Sequence, residues 1–315
     1  MYHTYFGFRE RPFQLVPNPD YLYLSRHHEE ALAHLRYAIA HGEGFAEITG
    51  EVGTGKTTLC RVFLESLTEE TEVAYIFNPH LTSIELIRAI NDEFEIDATK
   101  ETAKELIDTL NRFLLKKKAE NKRIVLLIDE AQNLSREVLE QVRILSNLET
   151  SSQKLIQIIL VGQPELDAML NSHEMRQLAQ RISIRCRLFP LDVAETRNYI
   201  HHRIRVASEK SPEVTLSSSA IKTIHRYSGG IPRLINILCD RAFLFAYVSQ
   251  TKTISNQIVH HAVQELESKN ISGKYFTVER KNGALLLLVL LSIALIMYIV
   301  FYPDRPEPGR WFFWP

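Results

Sequence analysis

The feature that most constrains this chain is a glycine-rich loop, Gly50-Glu51-Val52-Gly53-Thr54-Gly55-Lys56-Thr57, which fits the pattern G-x-x-x-x-G-K-[ST]. An apolar, strand-like segment precedes the loop, and apolar side chains at helical spacing follow it from Lys56 to Leu67. A strand, a loop and a helix in this order form the context in which the pattern binds phosphate. The sequence therefore predicts a nucleoside triphosphate site on an α/β fold.

The residue types in the loop suit the chemistry of a triphosphate. Glycines let the backbone curl so that successive N–H groups point at phosphate oxygens, and the positive end of the next helix adds to the attraction. We expect Lys56 to neutralise the β and γ phosphates and the Thr57 hydroxyl to ligate Mg²⁺. The predicted nucleotide-binding residues are Gly50, Glu51, Val52, Gly53, Thr54, Gly55, Lys56, Thr57 and Thr58.

A second apolar run, Ile124 to Ile128, ends in the acidic pair Asp129-Glu130. Such a continuous run is typical of a parallel strand that is buried on both faces. In a doubly wound sheet the ligand lies at the carboxyl ends of the strands, so both carboxylates should lie near the phosphates. We predict that Asp129 holds Mg²⁺ through water and that Glu130 is the general base in ATP hydrolysis.

Charge and cysteine content narrow the class of protein. The chain has 37 basic and 38 acidic residues, whereas proteins that grip a nucleic-acid backbone usually have a basic excess. Nucleic acid is therefore not an expected partner. Cys60, Cys186 and Cys239 are scattered without a C-x-x-C pair, which indicates reduced thiols in a cytosolic compartment.

An uncharged segment near the C-terminus predicts a membrane span. Residues 284–302 form a run of 19 residues without a charge, and at 1.5 Å rise per residue such a helix crosses a hydrocarbon layer of about 30 Å. Lys274, Arg280 and Lys281 precede the run. The positive-inside rule then places the N-terminal region in the cytoplasm, with the lipid bilayer as the partner of residues 284–302.

Strand and helix patterns alternate between the loop and residue 190. One strand is predicted to end over residues 45–49, and four more lie over residues 72–77, 123–128, 155–161 and 184–189. From Leu191 onward only helical patterns follow, over residues 193–208, 219–227, 232–248 and 255–268. The predicted fold is a five-stranded parallel sheet followed by a helical lid. The expected domains are a nucleotide-binding core (1–190), the lid (191–268), a linker (269–283), the transmembrane helix (284–302) and a short periplasmic tail (303–315).

This order of elements resembles the AAA+ ATPases, and several motifs resemble one family more closely. Residues 5–13 (YFGFRERPF), residues 17–25 (PNPDYLYLS), the glycine-rich loop and the Asp129-Glu130-Ala131-Gln132 motif resemble the ATPase of the general secretion pathway protein A family. Residues 161–166 (VGQPEL) and 177–182 (QLAQRI) are also similar. The resemblance covers about residues 1–268 and the predicted membrane span.

The resemblance implies a single-pass ATPase of the bacterial inner membrane, with its ATPase domain in the cytoplasm. Such proteins act as oligomers, with a ring as one arrangement open to this chain, and work with a membrane partner protein to build the outer-membrane secretin of type II secretion. Many members carry a periplasmic peptidoglycan-binding domain after the span, whereas 13 residues follow it here. Direct contact with peptidoglycan is therefore not expected, and a relative that serves pilus assembly or polysaccharide export stays open.

The resemblance also implies catalytic roles. Gln163 matches the residue that senses the γ-phosphate and orients the attacking water, and Arg233 matches a sensor at the start of a lid helix. Arg181 matches an arginine finger that one subunit offers to its neighbour's ATP, with Arg185 and Arg187 as competing candidates.

Two further questions stay open at this point. The aromatic residues Phe6, Phe8, Phe13 and Tyr23 either cover the adenine edge or pack in a hydrophobic cluster. Two other functions also compete with the secretion ATPase: a DNA-associated ATPase of the transposition-regulator kind and a nucleotide-dependent scaffold without turnover. Membrane anchoring and the balanced charge count against the first, and Glu130 counts against the second.

Overall fold

A central parallel sheet organises the part of the chain that this computed structural model describes, namely residues 1–77, 79–150, 153–209 and 213–274. Its strands are β1 (Phe45–Gly50), β2 (Thr71–Ile76), β3 (Arg123–Ile128), β4 (Gln157–Gly162) and β5 (Ile184–Leu188). They pair in the order β2-β3-β4-β1-β5, with every neighbouring pair parallel. The predicted five-stranded parallel sheet is confirmed.

Helices connect these strands and continue after the last one. Within the described residues the α-helices are α1 (Tyr2–Tyr5), α2 (Arg26–His41), α3 (Lys56–Glu65), α4 (Ser83–Glu93), α5 (Ala103–Ala119), α6 (Arg136–Leu145), α7 (Pro164–Leu170), α8 (Arg176–Ala179), α9 (Val193–Ala207), α10 (Ser218–Ser228), α11 (Pro232–Val248) and α12 (Asn256–Lys274). Capping boxes fix the starts of α4, α5 and α9, where a Thr or Asp side chain and a Glu three residues later satisfy exposed backbone N–H groups.

The three central strands β3, β4 and β1 are buried on both faces, and β3 and β4 carry apolar residues at successive positions. Along β3, Val125 and Leu127 pack with residues of α2 and α3, whereas Leu126 and Ile128 pack on the opposite face with residues of α4, α5 and α6. All four side chains are fully buried. Each such side chain stabilises the fold by roughly 1.5–3 kcal/mol, and together they hold the carboxyl end of β3 in a fixed position.

The region after Leu191 is not helical throughout. Helices α9, α10 and α11 lie at nearly the predicted bounds, but β6 (Thr215–Leu216) and β7 (Thr253–Ile254) pair in parallel as a small second sheet. The prediction of helices alone is wrong here because two-residue strands are too short to give a sequence pattern. Helix α12 runs to Lys274, so the first residues of the predicted linker 269–283 are helical.

The N-terminal segment packs against the helices that follow the sheet. The rings of Phe6 and Phe13 each lie 5.2 Å from the ring of Phe243 on α11, and the ring of Phe8 lies 5.9 Å from it. All of these rings are buried. Three of the four N-terminal aromatics therefore form a hydrophobic cluster, and the sequence-based division, which placed them with the core 1–190, did not anticipate this contact.

The predicted membrane span, residues 284–302, lies outside the described residues, as do the tail 303–315 and the linker beyond Lys274. Among the residues described here, no helix has the length and apolar character needed to cross a bilayer. Met1–Ala262 forms one compact unit, and the candidate site lies within it.

Candidate active site

The glycine-rich loop leaves β1 at Gly50 and enters α3 at Lys56. Gly53 has a φ of 85°, in the left-handed region that side chains disfavour. A Cβ atom at Gly53 would lie 2.5 Å from Cβ of Arg233, at the start of α11. Glycine is thus needed at this position both for the backbone conformation and for the close approach of α11.

Lys56 is buried beneath the loop and bonds to it. Its Nζ donates hydrogen bonds to the carbonyl oxygens of Gly50 at 2.8 Å and Glu51 at 3.2 Å. Burial lowers the pKa of the ammonium group, and the carboxylates of Glu130 and Asp129 oppose that shift. An arriving phosphate would supply the negative charge that the loop carbonyls supply only as partial charge.

A hydroxyl and a carboxylate meet where the metal was predicted. Thr57 Oγ1 donates to Asp129 Oδ2 at 2.8 Å, and the Tyr75 hydroxyl donates to the same oxygen at 3.2 Å. The backbone N–H of Glu130 donates to Asp129 Oδ1 at 2.9 Å. Burial raises the pKa of Asp129, which has no exposed surface, so a cation beside this carboxylate would be favourable.

These donors fit Mg²⁺. The ion prefers oxygen ligands and usually keeps several waters and substrate phosphates in its shell, so Thr57 and Asp129 can suffice as the protein's contribution. No group of three or more His, Cys, Asp or Glu residues in the described ranges is arranged to hold a metal. The arrangement is that of a metal bound together with its nucleotide.

Glu130 is held by two amide side chains. Its Oε2 accepts hydrogen bonds from Gln132 Nε2 at 2.6 Å and from Gln163 Nε2 at 3.2 Å. Gln132 Oε1 in turn accepts from the backbone N–H of Gln163 at 3.0 Å. Glu130 has a φ of 55°, which is uncommon for a residue with a side chain. The turn after β3 and the end of β4 therefore jointly orient the predicted base.

Helix α11 brings Arg233 to the same cleft. Pro232 opens the helix, and the backbone N–H of Arg233 donates to Gly53 O at 3.2 Å. Arg233 lines the cleft together with Lys56, Thr57 and Glu130. The structure thus brings the start of a helix from the predicted lid into direct contact with the glycine-rich loop.

His28 contacts the backbone of the glycine-rich loop, a role that no sequence motif indicates. Its Nε2 lies 3.1 Å from Thr54 O and its Nδ1 lies 2.6 Å from Ser25 Oγ. Because a carbonyl only accepts, Nε2 carries the proton and Nδ1 accepts from the Ser25 hydroxyl. Burial lowers the pKa of the imidazole and so favours this neutral form.

Of the predicted catalytic residues, Arg181 does not join the cluster. Its Nη1 donates to Ser146 Oγ at 3.0 Å, and it does not line the cleft of its own chain. Arg185 donates to Asn171 Oδ1 at 3.1 Å and pairs with Asp167, whereas the Arg187 guanidinium lies 5.3 Å from the centre of the Phe189 ring. Of the three candidates for a finger, Arg185 forms ion pairs with carboxylates of its own chain, whereas no such pair is seen for Arg181 or Arg187 among the described residues.

Gln132 and Tyr75 were missed as site residues. Gln132 belongs to the motif Asp129-Glu130-Ala131-Gln132, but its contact with Glu130 depends on the tight turn over Ala131–Asn133, which the motif does not reveal. Tyr75 lies on β2, which pairs with β3 in the sheet. The parallel register of these two strands places Tyr75 beside Asp129, which follows β3.

Comparisons with known proteins show which proteins this chain resembles. The sequence profile described as "AAA domain" matches residues 39–170. General secretion pathway protein A of Aeromonas hydrophila is 45% identical over 97% of this chain. The chain thus contains an AAA domain and is similar to general secretion pathway protein A. It spans 56% of the length of that relative, and the resemblance predicted from the sequence motifs is confirmed.

Solved structures show the same AAA fold at low sequence identity. The ORC2 protein of Aeropyrum pernix in its ADPNP–ADP complexes has a TM-score of 0.60 and 20% identity over 82% of this chain and 72% of its own. The Cdc6p structure from Pyrobaculum aerophilum has a TM-score of 0.61 and 19% identity, over 81% and 70%. The RuvB branch migration motor of Thermotoga maritima has a TM-score of 0.52 and 21% identity, over 77% and 70%.

Proposed function

We propose that this chain is a membrane-anchored AAA ATPase that couples ATP binding and hydrolysis to the assembly of a type II secretion or related surface-export or pilus machine. The observation that carries the ATPase part is the meeting of Thr57, Asp129 and Glu130 beside an open phosphate loop, with Gln163 bonded to Glu130. The carboxyl ends of three neighbouring strands supply these groups, as expected for a site at the edge of a parallel sheet.

Each of these residues has a distinct task in the proposed reaction. Lys56 and the loop N–H groups bind the phosphates, and Arg233 reaches them from α11. Thr57 and Asp129 hold Mg²⁺, which supplies positive charge against the phosphate oxygens when bound. Glu130 takes a proton from the attacking water, and Gln163 orients that water and senses the γ-phosphate. The amide bonds that hold Glu130 keep its carboxylate in place before water arrives.

The link to secretion rests on the relative. General secretion pathway protein A carries secretion in its name, and its 45% identity extends over 97% of this chain. We further propose that residues 284–302 anchor the chain in the bacterial inner membrane, with the ATPase domain in the cytoplasm and a membrane protein of the export system as partner. The balanced charge of 37 basic and 38 acidic residues favours this over DNA as the partner.

The chemistry is tested by separating binding from turnover. Lys56→Ala should abolish measurable ATP binding, because the phosphates lose their main cationic partner. Glu130→Gln should bind ATP normally but hydrolyse it about 10²–10⁴-fold more slowly, which is the contribution typical of a positioned base. Calorimetric titration and phosphate release measure the two properties, and Lys104→Ala, an exposed lysine on α5, is the matched control.

Wild-type ATP affinity in Lys56→Ala would overturn the assignment of the loop. Unchanged turnover in Glu130→Gln would overturn the assignment of the base. For the cellular role, replacing the protein by Glu130→Gln should stop multimers of the outer-membrane secretin from accumulating, whereas Lys104→Ala should not. Normal secretin multimers with the inactive variant, or salt-sensitive binding of duplex DNA by the wild type, would favour another client.

A further inference from the structure

Arg203 is a buried guanidinium without a carboxylate partner among the described residues. It lies on α9 and is 7% exposed. Its Nε donates to Pro12 O at 2.6 Å, its Nη2 to Gln14 O at 3.1 Å and its Nη1 to the Tyr199 hydroxyl at 3.1 Å. Burying a cation without an opposite charge is costly, so a well-packed apolar residue would serve the stability of the fold better. The contribution of Arg203 to stability therefore does not explain why an arginine occupies this position.

The acceptors show what Arg203 holds. We use the name strap for residues 10–23, which cross from the helices after the sheet to the glycine-rich loop. Besides Pro12 O and Gln14 O, the guanidinium lies 4.7 Å from the centre of the Tyr21 ring, which is also part of the strap. The Tyr199 hydroxyl continues the network by donating to Asn236 Oδ1 on α11 at 2.8 Å. Arg203 thus fastens the strap to α9 and, through Tyr199, to α11.

The middle of the strap is fastened to the nucleotide-binding core. Arg61 Nη1 on α3 donates to Pro17 O at 3.2 Å. Between the two fastened points lie Leu15 and Val16, which are 52% and 71% exposed and line the cleft beside the loop. Apolar side chains held open to a cleft next to a phosphate loop suit a flat, weakly polar group such as a purine base.

We infer that Arg203 is a positioning residue for the nucleotide base: it holds the strap so that Leu15 and Val16 cover the purine, and it thereby couples base binding to α9 and α11. This inference rests on the proposed nucleotide function and assigns Arg203 to the base rather than to the phosphates. An arginine is needed because its planar fork reaches two carbonyl oxygens and a hydroxyl at once, which a lysine cannot do.

The experiment compares a ligand that has a base with one that has none. Calorimetric titrations with Mg²⁺ use the full chain in detergent and two probes, ATP and inorganic tripolyphosphate. Arg203→Lys should weaken ATP binding by about tenfold or more, the effect of losing charge-assisted hydrogen bonds. Binding of tripolyphosphate should stay within about twofold of wild type, because the loop is untouched. In steady-state assays the KM for ATP should rise while kcat changes little.

Two further variants keep the test decisive. Arg205→Lys, an exposed position on α9 whose guanidinium contacts His202, should bind both probes like wild type. Tyr199→Phe removes one acceptor of Arg203 without removing the charge, and it should weaken ATP binding by a smaller factor, again with tripolyphosphate unchanged. Tyr199→Phe also provides the result if Arg203→Lys does not fold.

The outcomes separate this inference from the proposed function. Selective loss of ATP affinity supports a role in base binding. Equal loss of both probes, or no loss of either, would overturn it while leaving nucleotide binding intact. If wild-type protein binds neither probe, or if Lys56→Ala binds both normally, the nucleotide function itself is wrong and the role of Arg203 is lost with it.

Discussion

Glu47 on β1 is an almost fully buried carboxylate, only three residues before the glycine-rich loop. It is 2% exposed, and neither carboxylate oxygen has a hydrogen-bond partner in the described structure. Arg185 on the neighbouring strand approaches Oε2 at 3.4 Å. Burial nevertheless outweighs this attraction and raises the pKa of Glu47 to about 7. Burial raises the pKa of Glu47 and the charge of Arg185 lowers it. Burial dominates because Arg185 is partly exposed and is shared with Asp167.

A raised carboxylate pKa predicts that stability depends on pH. The folded state binds the proton of Glu47 more tightly than the unfolded chain, so this contribution is fully present below about pH 4.5 and is lost as the pH rises through about 7. Glu47→Gln should therefore gain stability relative to wild type between pH 5 and pH 8, by up to about 3 kcal/mol. Urea unfolding followed by circular dichroism at both pH values measures this change.

Glu101→Gln, at an exposed position, is the control for that comparison and should show no such gain. If Glu47→Gln differs from wild type by the same amount at pH 5 and pH 8, Glu47 does not titrate between them and the ion pair with Arg185 keeps it charged.

At the scale of residues, the sequence predicted the groups that belong to a recognisable local motif and missed those that belong to none. Thr57 and Asp129 each belong to a local motif, and the fold brings them within hydrogen-bond distance as expected. His28 contacts Thr54 from 26 positions away, and Arg203 contacts Pro12 from 191 positions away. Nothing in local periodicity or composition indicates such pairs, because they depend on how whole elements pack.

At the scale of elements, Gly230 fixes the connection between β5 and the helices that follow. Its φ is 78°, and a Cβ atom there would lie 2.0 Å from Leu191 O. The backbone N–H of Leu191 donates to Gly230 O at 2.9 Å, so the two chain segments are in direct contact. This contact sets where α11, and with it Arg233, meets the glycine-rich loop.

Gly230→Ala should therefore be severely destabilising, by more than about 3 kcal/mol, because backbone atoms must move to admit one methyl group. Gly229→Ala is the matched control, since Gly229 also has a positive φ but would place its Cβ atom in open space. That variant should cost about 1 kcal/mol, the strain of a left-handed residue. Chemical unfolding of both variants tests this, and equal losses would show that backbone strain, not the contact with Leu191, governs the site.

The elements themselves were predictable to different degrees. The run of apolar residues gave β3 at its observed bounds, because a strand buried on both faces leaves an unbroken pattern. Proline at the first helical position and an apolar face gave α11 at its observed bounds. The pair β6 and β7 is held together by two residues in each strand, which is too little for a pattern.

At the scale of the whole molecule, we expect ATP hydrolysis to need more than one copy. Arg181 follows α8, where its guanidinium bonds to Ser146 and does not reach the cleft of its own chain. If it serves a neighbouring subunit, Arg181→Ala should bind ATP normally but lose about 10³–10⁵ in rate. Mixing Arg181→Ala with Glu130→Gln subunits should restore part of the activity, because some interfaces then pair an intact finger with an intact base.

The measurement for this prediction is ATP turnover across mixing ratios, together with proof that the oligomers are mixed. Absence of rescue in mixed oligomers would contradict a finger at Arg181 and direct attention to Arg185 or Arg187. Arg197→Ala, at an exposed position on α9, provides a control that should leave turnover unchanged.

The membrane prediction also belongs to this scale. The full chain should fractionate with the inner membrane, because residues 284–302 form an uncharged segment of bilayer length. A chain ending at Ser268 should be found in the soluble fraction. A reporter enzyme fused after Pro315 should behave as periplasmic, and cytoplasmic activity at that position would contradict the orientation.

The packing of the N-terminal aromatics on α11 sets the order of events during synthesis. The Tyr2 hydroxyl donates to Asp240, and these partners are 238 positions apart. At about 5–20 residues per second the ribosome needs roughly 10–50 s to deliver the second partner after the first. Phe6, Phe8 and Phe13 must stay without their final contacts throughout that interval. The beginning of this chain is thus among the last parts to reach its place, and its apolar rings lack their final partners until then.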